Sequence, residues 1–155
     1  MKSISSTAIA ISLCVALLVG GCSRSPSSAI EHVLNKCAND AKFVNQSTMS
    51  SAQAATYLAD EWQKTDTRDC PPEFREAFQE HVNAWREAST CFSEDTPLNA
   101  FLEGFASGYT QDPSLFGASH QKAAIAAQNI NSTYDRLVNI AAAYGARVPT
   151  SYVNK

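Results

Sequence analysis

Apolar residues recur every three or four positions in segment after segment of this chain, the spacing that lines one face of a helix. The pattern is sharpest from Pro72 to Ala88. There Phe74, Phe78, His81, Trp85, Ala88 and, beyond, Phe92 fall on one side, with Arg75, Glu76, Gln79, Asn83, Arg86 and Glu87 on the other. No run alternates well enough for a strand. A residue before proline is pushed out of helical geometry, so of Pro71 and Pro72 the second is the expected first helical residue.

Four further segments share the period. From about Ser28 to Val44 the stripe is Ile30, Leu34, Cys37, Ala41 and Val44. From about Ser47 to Lys64 it is Ser51, Ala55, Leu58 and Trp62. A fourth starts at Asp95-Thr96-Pro97, a cap followed by an early proline, and carries Leu98, Phe101, Leu102, Phe105 and Tyr109. The last runs from about Ser119 to Arg147 through Ala123, Ala127, Ile130, Tyr134, Leu137, Ala141 and Tyr144, roughly 43 Å if straight, with Pro149 as its stop. The expectation is all-α: one domain, a bundle of about five helices over residues 29–149, with a long C-terminal helix and a tail at 150–155. At 155 residues, 45% hydrophobic and 17% charged, the chain can bury one core and is not disordered. With a net charge of -3 and no basic stretch, nucleic acid is not an expected partner.

Residues 1–21 do not fit that domain. Lys2 gives a positive start, Ile4 to Val19 is mostly apolar, and the run ends in Leu18-Val19-Gly20-Gly21-Cys22. The run is short for spanning a bilayer and has no charged stop. This segment resembles the signal peptides of bacterial lipoproteins, which end in a lipobox: an aliphatic residue, small residues and a cysteine. The resemblance implies cleavage before Cys22 and a diacylglyceryl and acyl (palmitate-type) modification on its thiol. The chain would then be held to a membrane by lipid, each buried methylene contributing about 0.8 kcal/mol. Ser23, where inner-membrane lipoproteins commonly carry Asp, implies the periplasmic face of the outer membrane. Inner-membrane or Gram-positive anchoring are the alternatives. Residues 22–28 read as the lipidated cysteine and a flexible tether. The stretch Cys70-Pro71-Pro72-Glu73-Phe74-Arg75-Glu76-Ala77-Phe78, with His81, Ala84-Trp85-Arg86 and a terminal Tyr144-Gly145, also resembles small proteobacterial lipoproteins to which no activity is attached.

Three cysteines remain for the domain: Cys37, Cys70 and Cys91. An exported chain meets an oxidising compartment, so one disulfide and one free thiol are expected. Cys70 and Cys91 bracket a helix about 30 Å long, beyond the reach of about 7 Å that a disulfide allows. Cys37 is the common partner, with Cys70 favoured and Cys91 the alternative.

Catalytic motifs are absent: no Gly-rich phosphate loop, no G-x-S-x-G, and no C-x-x-C or H-E-x-x-H spacing for a metal. No cofactor is expected, and no enzyme. His32 and His120 are expected to be exposed. His81 is the sharpest candidate because a titratable ring sits within an apolar stripe. It is either a ligand or acid/base group, walled by Phe78, Trp85 and Tyr109 or Tyr134, or a neutral core histidine bonded to another helix. Lacking a second ligand candidate, the sequence favours the core histidine. Leu115-Phe116, in the loop from Thr110 to Ala118, either tuck onto the core or dock a partner. The functional expectation is a lipid-anchored binding, adaptor or inhibitor/immunity module with a protein partner in the envelope. The alternative is a small-ligand carrier with a pocket around His81.

Overall fold

A computed structural model of the chain describes residues 24–92 and 118–149. Those residues are mostly helical, without a strand, so the chain is all-α. The described helices are α1 (Pro26–Asn45), α2 (Ser51–Gln63), α3 (Pro72–Ser89) and α4 (Ala118–Ala143). The expected helix beginning at Asp95 and the loop carrying Leu115 and Phe116 lie outside the described residues, as do the lipobox and Cys22.

Helix boundaries follow local capping chemistry. α1 starts at Pro26, inside the stretch read as tether. Ser25 caps it, its hydroxyl accepting from the Ser28 N–H at 3.2 Å, and Pro26 stands where a helix needs no amide donor. α2 starts at Ser51, later than the apolar spacing suggests, because Ser50 and Gln53 form a reciprocal capping box. α3 starts at Pro72 after Pro71, as the proline pair requires. α4 ends at Ala143, short of the expected Arg147. Gly145 adopts a positive φ of 68°, and the Ala146 N–H turns back to the Ala141 carbonyl at 2.9 Å. This glycine-closed cap stops the helix before Pro149 can.

The helices run up and down. At one end α1 meets the chain after α4: the Ser27 hydroxyl donates to the Gly145 carbonyl at 3.3 Å, and the Arg147 N–H donates to Glu31 at 2.9 Å. The Tyr144 hydroxyl reaches Glu73 in the first turn of α3 at that same end. α3 is the central element, packed extensively against both α2 and α4, whereas α1 makes lighter contacts with α2 and α4.

The apolar stripes are the core. Ile30, Val33, Leu58, Trp62, Phe74, Val82 and Leu137 are essentially inaccessible to solvent. Burying one side chain of this size stabilises the fold by about 1.5–3 kcal/mol before entropy is counted. Alanines fill the contacts where helices approach closely: Ala54, Ala55, Ala77, Ala88 and Ala141 are fully buried. Their small side chains let α2 and α4 lie near α3, and the aromatics fill the gaps between.

Candidate functional site

His81 lies in the middle of α3 and is only 4% exposed. Its ring is sandwiched by aromatics. Trp62 of α2 stacks on it at 5.4 Å between centroids and 20° between planes. Trp85, one turn along α3, presents an edge at 6.4 Å, and Tyr134 of α4 lies at 5.8 Å.

Both ring nitrogens have partners, and these define the tautomer. The Trp85 indole N–H lies 3.2 Å from His81 Nε2, and an indole nitrogen can only donate, so Nε2 is the acceptor. Nδ1 therefore carries the proton and donates to Thr133 Oγ1 of α4 at 2.9 Å. The Thr133 hydroxyl passes its own proton back to the Asn129 and Ile130 carbonyls, both at 2.9 Å. The chain of donors ends on the backbone with every His81 position used. Burial pushes the imidazole pKa down from 6.5 to about 4, since charging the ring in this apolar setting is unfavourable. The ring is neutral at pH 7 and has no lone pair left for a metal or a substrate proton.

The sequence favoured a core histidine bonded to a carbonyl, Tyr or Asp. The ring is in the core, but its partners are a threonine and a tryptophan. Thr133 was missed because it sits beside the α4 stripe rather than on it. The available signal was a hydroxyl three residues after Ile130, on the flank facing α3. Of the expected walls, Trp85 and Tyr134 contact the ring, and Tyr109 lies outside the described residues. Trp62 was missed as a neighbour because nothing in the sequence pairs α2 with α3 at that height. Its own indole N–H is buried with no hydrogen-bond acceptor among the described residues.

A cleft of about 220 Å³ opens elsewhere, at the end of the bundle where α1 begins. Arg24, His32 and Lys36 line one side, and Lys64, Asp66 and Cys70 the other. Three of the lining charges pair with neighbours outside the cleft. Lys36 pairs with Asp40 at 2.6 Å, Lys64 with Glu61 at 2.7 Å and Arg68 with Asp66 at 2.7 Å. The Arg68 hydrogen bonds hold the Asp66 carboxyl well below the usual carboxylate range. His32 is exposed, as its place beside Glu31 suggested.

The expected disulfide is not formed: Cys37, Cys70 and Cys91 are all free thiols. The two favoured cysteines face different neighbours. Cys37 is buried on α1 and couples electrostatically to the Tyr134 phenol of α4. Cys70 lies in the cleft beside Ala29, and Cys37 is eight residues further along α1 from Ala29, about 12 Å. An inward-facing position on a helix does not by itself choose between two neighbours. Burial raises the Cys37 thiol to about 12, helped by Asp40, and the Cys70 thiol to about 11, helped by Asp69. Cys91, the alternative partner, is half-buried just past α3, its sulfur 3.7 Å from the Thr90 hydroxyl.

Among the described residues, no group of three or more His, Cys, Asp or Glu side chains is placed to hold a metal ion, and no helix is long and apolar enough to cross a membrane. No family model, no curated protein and no solved structure matches this chain.

Proposed function

We propose that this chain is an envelope lipoprotein, anchored through acylated Cys22 to the periplasmic face of the outer membrane. Its helical domain serves as a binding, adaptor or inhibitor/immunity module for a protein partner rather than as an enzyme. The observation that carries this reading is the Gly20-Gly21-Cys22 motif with only Ser23-Arg24-Ser25 between it and α1. With α1 beginning at Pro26, the domain would stand close on its anchor. The α1 start, the α2–α3 turn and the chain after α4 would face the membrane. The opposite end of the bundle, with the α1–α2 turn and the end of α3, would be presented to partners.

The site chemistry supports binding over turnover. His81, the residue best placed by sequence to do chemistry, has both nitrogens committed to Trp85 and Thr133. A small-ligand carrier has less support, because the cleft around Cys70 does not include His81.

Cys22→Ser tests the anchor. The variant is expected to leave the membrane fraction and lose incorporation of labelled palmitate, with the domain still folded. A variant that stays membrane-bound would refute the lipid anchor. Purification of the wild-type protein from envelope extract is expected to retain one stoichiometric protein partner. Retention of a small molecule in place of a protein would favour the carrier.

A further inference from the structure

The central layer that holds α4 against α3 is saturated in only one protonation state. His81 Nε2 accepts from Trp85, and Nδ1 donates to Thr133. A second ring proton would have to sit on Nε2, facing an indole N–H that cannot accept. Two donors would then point at each other in a dry interior, and one side chain would have to move.

The described residues around the ring offer the cation no counter-charge. From α2 the ring meets Trp62, and from its own helix Trp85. From α4 it meets Thr133 and Tyr134, a phenol whose own ionisation is pushed up by burial. From α1, Cys37, which couples to Tyr134, is a thiol held neutral by burial. Among the described residues no carboxylate acts on the ring. The ion pair of Glu80 with Arg136 of α4, and the hydrogen bond from Tyr144 just past α4 to Glu73, are exposed.

We propose that the Trp85–His81–Thr133 chain is an acid-sensitive latch: protonation of His81 at Nε2 ejects the Trp85 indole and loosens α4 from α3. The device acts on α4 in particular because the ring's hydrogen bond crosses to Thr133 of α4, whereas α2 meets the ring only through the Trp62 stack. The inference does not depend on where the chain resides or what it binds.

The direction follows from linkage. The ring titrates near 6.5 once released and at about 4 when latched. Between those values the open form holds one more proton than the closed form, so closure is strongest above pH 6.5 and weakens as pH falls toward 4. The opening constant is expected to rise about tenfold per pH unit across this window, roughly 300-fold in all. Lowered carboxylates such as Glu73 act below about pH 4.5, so the interval from pH 6 to 5 belongs to histidine.

The test is NMR of the full chain between pH 7.5 and 3.5, following the His81 ring, the Trp85 indole N–H and amide protection corrected for intrinsic exchange. The Trp85 signal is expected to shift with the His81 titration near pH 4. α4 protection should fall tenfold per unit from pH 6 to 5 while α2 protection holds. The slope should persist in Glu73→Gln and Glu80→Gln and flatten in His81→Phe. A His81 ring that titrates near 6.5 without moving the Trp85 indole would overturn the latch. So would equal loss of protection in α2 and α4. Both readings come from the wild-type chain and stand even if His81→Phe fails to fold.

Discussion

Two regions of this molecule each bring a histidine near a cysteine, and they behave as opposites. In the bundle centre His81 is stacked, doubly hydrogen-bonded and neutral, and buried Cys37 has its thiol raised to about 12. In the end cleft His32 is exposed among paired charges, with Cys70 forming the floor. The residue types are the same and both cysteines are buried; the histidines differ in access to water. Burial removes the charged form, and with it nucleophilicity and acid–base chemistry, unless a partner supplies the charge. In the centre the partners are neutral dipoles, which fix orientation without supporting charge. In the cleft His32 meets water, while Cys70 is itself buried and its thiol is raised to about 11.

Thiol labelling should show the contrast most strongly. Raising a thiol from 9.0 to about 12 lowers its thiolate fraction near pH 8 about a thousandfold, and core packing adds protection. The native protein is expected to react first at half-buried Cys91, then at Cys70, and at Cys37 only on unfolding. Mass spectrometry after timed alkylation reads the order, and early labelling of Cys37 would remove it from the core. If two of the three thiols resisted alkylation even on unfolding until a reductant was added, a disulfide would have to be restored to the account.

The two tryptophans sharpen the comparison within the centre. Trp85→Phe deletes the donor to His81 and strands an acceptor, so a loss of about 3 kcal/mol is expected. Trp62→Phe deletes an indole N–H that had no acceptor, and its loss is expected to be smaller by about 1 kcal/mol despite deeper burial. Urea unfolding at pH 7.5 gives both values, and the reverse ranking would deny the Trp85–His81 bond its role. At the small end, His32→Ala is expected to change stability by no more than about 0.5 kcal/mol. A large effect there would mean that the cleft is a structural element.

Much of the helical architecture was legible in the residues themselves. The stripe Phe74, Phe78, His81, Trp85, Ala88 and Phe92 is buried along its whole length, because a period of 3.6 residues leaves little choice of face. Pro72 fixed the start of α3 through a steric rule that operates within the dipeptide. Boundaries set by side-chain caps were harder. Ser25 draws α1 three residues into the expected tether, and Gly145 ends α4 before Pro149, since capping depends on φ and on which hydroxyl finds which amide.

The sequence by itself determined the helical class, the buried face of α3 and the inward position of His81, because these rest on local sterics and on the cost of exposing apolar stripes to water. Only the tertiary structure decided that Thr133 and Trp85 hold the ring, that Trp62 stacks on it, and that Cys37 and Cys70 face different neighbours. Those outcomes depend on the height and rotation at which one helix meets another. Helix–helix packing is set by the summed fit of many small contacts, and no single spacing along the chain records it.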